Sequence, residues 1–275
     1  AEAEPASEAV PEEVVLAAER GDETPVLAWL DGGGRVDMRF EYTFDDGSCA
    51  SGMTLLMVAM VEGHAELAEA LLRRGADVSL QTNRGDTALI LAASNGREKL
   101  VELALRHGAE IDQKGRNGST ALIQASGGGH EWVVDALSRR GAEINLQDSK
   151  GCAALMFAAH YGHPAVVLRL LRAGADMTLR TSGGRTALQA ANEEGHAECV
   201  EAFRTYLGEV TAARIKALSA EAGGAGAGGA PAGEAAAGAS AAASALIGVG
   251  GAEAEPASEA VPEEVVLAAG RGDGF

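Results

Sequence analysis

The chain has 275 residues, a formal net charge of −18, 47% hydrophobic residues and only 4% aromatic ones. So acidic a chain is a poor match for free nucleic acid, whose phosphates attract cations, and no nucleic-acid partner is expected. Its three cysteines, Cys49, Cys152 and Cys199, are too scattered for a disulfide framework or a zinc site and fit a reducing intracellular setting, cytoplasmic or nuclear.

Residues 1–10 are acidic and Ala/Pro-containing and read as a disordered leader. No basic region followed by an apolar core marks a secretory signal here. Pro11-Glu12-Glu13 then opens a helix, with proline at a tolerated early position and the acids at the positive end of the helix dipole. Val14 to Ala18 and Val26 to Leu30 predict a first helix pair, the N-terminal cap. The connection that follows, Gly33 to Thr54, is nine residues longer than its later counterparts. In it Phe40, Tyr42 and Phe44 alternate with polar residues, as in a strand, and Asp46-Gly47 is a hairpin turn signal. This aromatic finger reads either as a ridge for a partner or as a hairpin whose aromatic face packs on the first helices.

From here the chain keeps a beat of 33 residues. Thr87 recurs as Thr120, Ala153 and Thr186, and Gly75 recurs as Gly108, Gly141 and Gly174. A fixed period of this length signals a stacked repeat architecture. Each unit holds two short apolar runs with helical spacing, such as Ala88-Leu89-Leu91-Ala92 and Leu100-Val101-Leu103-Ala104. The threonine sits where an N-cap is needed. A Gly-, Asn- and Asp-rich finger joins one unit to the next. Four regular units are expected at 49–81, 82–114, 115–147 and 148–180, followed by a C-terminal cap from 181 to about 211. The 115–147 unit reads as the weakest, with Gly127-Gly128-Gly129 ending its first helix and Ser138 in a core leucine slot. Residues 212–251 read as an Ala/Gly-rich linker, though the 209–221 segment could instead extend the cap. Its uncharged stretch Ala235–Ala252 is too poor in large apolar residues to be read as a membrane span. Residues 252–273 repeat residues 1–22 with one change, Glu19 to Gly270. We read 252–275 as a truncated duplicate.

The units carry Gly85-x-Thr-Ala-Leu-x-x-Ala-Ala and its counterparts at Gly118, Gly151 and Gly184. Gly-His occurs at 63, 129, 162 and 195, and Gly-Ala-Asp/Glu at 75, 108, 141 and 174. This pattern resembles the ankyrin repeat, over residues 11–211. The resemblance implies an all-α solenoid of stacked helix-turn-helix units with finger loops, about six of them, with a short β-hairpin added in the enlarged first finger. It implies a non-catalytic, monomeric scaffold that binds a protein or an acidic peptide segment through its fingers and concave helix face. It also suggests Asn145 as a site for an ankyrin-directed asparagine hydroxylase. The alternative is a targeting or regulatory segment of a larger enzyme or membrane protein.

The candidate binding residues are Phe40, Tyr42, Phe44, Arg84, Asn95, Lys114, Arg116, Lys150, His160, Tyr161, Arg180 and Arg185. The six finger cations among them, against Asp86, Asp112 and Asp148, make the row mildly basic within an acidic chain. That row could receive an acidic partner or the chain's own acidic tails. No catalytic group, cofactor, metal or membrane partner is expected. His64, His130, His163 and His196 share one repeat position and read as scaffold, and His160-x-x-His163 lacks further ligands. Arg-Gly-Asp at 20–22, 84–86 and 271–273 reads as turn glycine with free neighbours rather than an integrin motif.

Overall fold

A computed structural model describes residues 9–44 and 47–224. The duplicate 252–275 and linker residues 225–251 lie outside the described residues, as do residues 1–8 of the leader. Packing already begins at the leader's end, where Val10 lies against the core.

The helices come in pairs. They are α1 (Glu12–Arg20) with α2 (Glu23–Asp31), α3 (Leu55–Glu62) with α4 (Ala65–Arg73), and α5 (Ala88–Ser94) with α6 (Glu98–Arg106). The series continues with α7 (Ala121–Gly127) and α8 (Glu131–Arg139), α9 (Ala154–His160) and α10 (Pro164–Arg172), and α11 (Ala187–Glu193) and α12 (Ala197–Gly224). Thr54, Thr87, Thr120 and Thr186 cap the first helices, each hydroxyl accepting a backbone N–H three residues on at 3.2–3.4 Å. Ala153 holds the same backbone shape with no such bond. At Thr186 the side chain of Gln189 returns the favour, closing a capping box.

Helices of 7–9 residues are too short to hold together alone. They are held by a continuous core that runs from Val14 to Phe203 through every unit. The first helices, built on Ala-Ala pairs buried at Ala92-Ala93 and Ala158-Ala159, pack closely on one another. The second helices meet less extensively, except that α10 and α12 share the largest contact of all; the first helices, which share a face with the fingers, are called the inner helices.

Polar ties repeat along the stack. His64, His130, His163 and His196 use Nε2 to donate to the carbonyls of Glu19, Ser94, Gly127 and His160, at 2.6–2.9 Å. A carbonyl can only accept, so Nε2 carries the proton. Arg97 does the same job for its unit by donating to Val61 O at 3.1 Å. Each tie satisfies a helix-end carbonyl of the preceding unit. The shared histidine position therefore holds units together, as expected for a scaffold residue. At Ser138 the hydroxyl oxygen is buried without a partner, consistent with the reading of that unit as the weakest.

The enlarged finger is a two-stranded antiparallel hairpin, β1 (Phe40–Thr43) with β2 (Cys49–Met53), in which Tyr42 pairs with Ala50. The C-terminal boundary differs from expectation. Helix α12 runs on to Gly224, so residues 212–224 are helical rather than linker. The reason is composition: from Glu209 to Ala222 the chain has no Gly or Pro and is rich in Ala, Arg, Lys and Glu. No helix among the described residues is long and apolar enough to cross a membrane.

Candidate binding groove

The inner helices and the fingers form one face. Along it, side chains at equivalent positions change from unit to unit. The pair after the small helix core is Ser94-Asn95, then Gly127-Gly128, then His160-Tyr161, then Glu193-Glu194. Beneath it some buried positions do not change: Ala88, Ala121, Ala154 and Ala187, and Ala92, Ala125, Ala158 and Ala191.

The fingers are laid edge to edge by backbone bonds. Asn83 N–H donates to Ser51 O, Ser149 to Asn117 O and Ser182 to Lys150 O, at 2.8–2.9 Å. Gln81 and Gln147 each bridge with Nε2 from their own finger, at Gly85 O and Gly151 O, to the next, at Lys114 O and Arg180 O. One rung differs. Residues Arg116–Gly118 form a single 3-10 turn, with Asn117 at φ 55°. There the Arg116 N–H points to the Asp86 carboxylate, while burial pushes the pKa of Asp86 up. Asp86 of the second Arg-Gly-Asp is therefore turned into the finger. That removes it from any integrin-type display.

The expected cations divide into two groups. Arg84, Lys114, Lys150 and Arg180 are exposed along the finger row. Lys114 Nζ reaches Gln147 O at 3.5 Å, and Arg180 Nη1 donates to Gly184 O at 2.7 Å. Arg116 and Arg185 are half-buried, and Arg185 is ion-paired to Glu193 at 3.2 Å. Asn95 is half-buried, with its amide committed to Leu91 O and Ser94 Oγ.

Toward the C-terminal end the face becomes aromatic. Phe157, His160 and Tyr161 stand together, with the Tyr161 ring edge-on to His160 at 4.8 Å and tilted against Phe157 at 6.3 Å. Gly127 opens space beside Phe157 and Tyr161. His160 Nδ1 lies 3.3 Å from Glu194, yet burial holds its pKa below the usual histidine value. His160 and His163 serve different partners, which disposes of His-x-x-His as a chelate. Among the described residues no three His, Cys, Asp or Glu side chains converge as a metal site.

Between α9 and α11 lies a shallow, solvent-open pocket lined by Cys152, Met156, Phe157, His160, Arg185 and Ala190 together with Thr181 and Thr186. Burial pushes the Cys152 thiol up to about 11, so it is a wall of the pocket and not a ready nucleophile. Sequence reasoning placed His160 and Arg185 on this face but not the pocket. The missed signal was a step in size at one repeat position, Phe157 followed 33 residues on by Ala190.

The aromatic finger is corrected as a partner ridge. Tyr42 is 5% exposed and its hydroxyl donates to Glu62 at 3.2 Å. Phe44 meets the Tyr42 ring edge-on at 5.0 Å, and Phe40 and Phe44 both pack against the core. The aromatic face of the hairpin turned inward because burying it removes large apolar area from water. Asn145, by contrast, ties two units together, accepting from Asp176 N–H at 2.8 Å and donating to Gly174 O. The most exposed large apolar side chain among those described is Trp132, 63% exposed on α8, with the Arg169 guanidinium 5.7 Å from its ring.

Compared with known proteins, the chain matches a family model described as ankyrin repeats (three copies), at residues 56–148 and 140–213. No curated protein sequence matches it.

Proposed function

The chain belongs to the ankyrin repeat family, and from that premise we propose that it is a monomeric, intracellular scaffold that captures an acidic segment of a partner protein on its fingers and inner helix face. Families of this kind serve in general as protein–protein interaction modules. One observation carries the finer reading. The alanines at 88, 121, 154 and 187 and at 92, 125, 158 and 191 repeat from unit to unit beneath the face, whereas the accessible groove position changes at each step, from Asn95 to Gly128 to Tyr161 to Glu194. Packing requires no such variation, so the variation belongs to what the face meets.

The preference for an acidic segment rests on the exposed finger row of Arg84, Lys114, Lys150 and Arg180. Complementary charge steers encounter and fixes register. The aromatic wall of Phe157 and Tyr161 offers apolar contact beside it. The described cysteines are all free, which suits a reducing compartment.

The test is capture by the purified chain and by an Arg84→Glu/Lys114→Glu/Lys150→Glu/Arg180→Glu variant. Reversal of four exposed charges is expected to weaken capture at least roughly tenfold. A matched reversal at Arg73, Arg106, Arg139 and Arg140, exposed at the ends of second helices, should leave it unchanged. Equal loss in both variants, or none in the first, would contradict the reading.

A further inference from the structure

One register of the first helices loses its large side chain in the last described unit. Val58, Leu91, Gln124 and Phe157 stand at this position, each 33 residues from the next, and Ala190 follows them. Phe157 is buried, whereas Ala190 keeps partial exposure. The shallow pocket between α9 and α11 lies against both, and Met156, Phe157 and Ala190 give it apolar walls. A side chain of leucine to phenylalanine size is what the register lacks there.

Two adjacent fingers close the other side of the pocket. Cys152 comes from one of them, and Thr181 and Arg185 from the next. The Ser182 N–H joins the two by donating to Lys150 O at 2.8 Å. Lys150 and Arg180, on these same fingers, are exposed and have no ion pair among the described residues. The Lys150 charge is felt at the Cys152 thiol in the pocket wall, where it opposes the effect of burial. Asp148 accepts the backbone N–H groups of Lys150 and Cys152, and Glu193 is paired with Arg185. Glu194 caps the far end of α11, 3.3 Å from Nδ1 of His160. The pocket therefore has a cationic finger end and an acidic helix end, with an apolar floor between them.

We propose that this pocket is an anchor subsite, taking one leucine- or phenylalanine-sized side chain of an extended partner segment whose acidic neighbours lie toward Lys150 and Arg180. Exposed charges steer such a segment onto the fingers, and a desolvated apolar side chain then holds it. The subsite rests on the reading of the groove as a binding face and deepens it, since it sets which acidic segments are retained.

A phage library of random dodecapeptides, panned on the purified full chain, is the probe. Enriched peptides are expected to share a Leu or Phe with Asp or Glu close by. One enriched peptide is then synthesised with its anchor intact and with the anchor changed to alanine. Both are titrated against the full chain and against Ala190→Leu, which restores the side chain found at Leu91. Loss of the anchor is expected to weaken binding to the unmodified chain at least roughly tenfold and to change binding to Ala190→Leu little. The first of these comparisons needs no protein variant, so it holds whatever Ala190→Leu does to folding. No loss on the unmodified chain, or an equal loss on both chains, overturns the subsite, as does a library with no enrichment over uncoated beads. If the enriched peptides are acidic but share no apolar position, and reversal of the four finger cations abolishes their capture, the subsite falls and the scaffold reading stands. If anchored peptides bind the finger-reversed chain undiminished yet fail on Ala190→Leu, the subsite stands and the preference for an acidic partner falls.

Discussion

Gly129→Ala is expected to lower the unfolding free energy by about 3 kcal/mol, one of the largest losses for so small a change. Gly129 sits at φ +71°, where an L side chain costs about 1–2 kcal/mol. The added Cβ would also lie 2.6 Å from Nδ1 of His163. That ring cannot yield without breaking its 2.9 Å bond to Gly127 O, which ties one unit to the next. An orphaned, partly buried carbonyl and imidazole cost about 1–2 kcal/mol more. Gly174→Ala is the control. Its φ is +95°, but no atom lies within 4 Å of the new Cβ. It should lose about 1–2 kcal/mol, the conformational part alone. Urea unfolding of both variants measures the difference. Equal losses would mean that the histidine ties contribute nothing.

Phe203→Ala is expected to cost about 3–5 kcal/mol, the usual range for emptying a buried aromatic site. Phe203 is 1% exposed on α12 and belongs to the shared core. No further described unit stacks beyond it to fill the void. The bidentate Arg172–Glu209 pair from α10 to α12 is exposed and contributes little by comparison. Because each unit leans only on its neighbours, the loss should fall locally. Hydrogen exchange should accelerate across residues 187–207 while residues 55–73 keep their protection. Val210→Ala, on the exposed side of the same helix, should stay within about 0.5 kcal/mol. Comparable losses from the two would contradict the packing account of the cap.

Much of this was legible in the residues. The 33-residue beat gave the units, the threonine before each apolar run gave the caps, and alternation at Phe40, Tyr42 and Phe44 gave a strand. Where reading failed, the deciding quantity was relational. A period of two says that Phe40, Tyr42 and Phe44 share a face, but not whether that face meets the core or solvent. The Gly-His pairs mark the ties, yet the accepting carbonyls lie 36 or 45 residues upstream, an offset set by how units stack. The repeat pattern stops near residue 211, but helix propensity does not, so α12 continues. The pocket arises because bulky Phe157 is followed in the next unit by Ala190, a comparison that single-unit reading passes over.

The finger row was legible as a set of cations. Their division into exposed Lys150 and Arg180 and paired Arg185 was not, because the pairing partner Glu193 sits eight residues away on the following helix.

The most direct test of the scaffold reading is hydrogen exchange of the full chain with and without its captured partner. Slowed exchange confined to the fingers and inner helices, in residues 113–118, 147–161 and 180–190, is the predicted result. Protection falling instead on the second helices, in residues 66–73, 99–106 and 132–140, would contradict it.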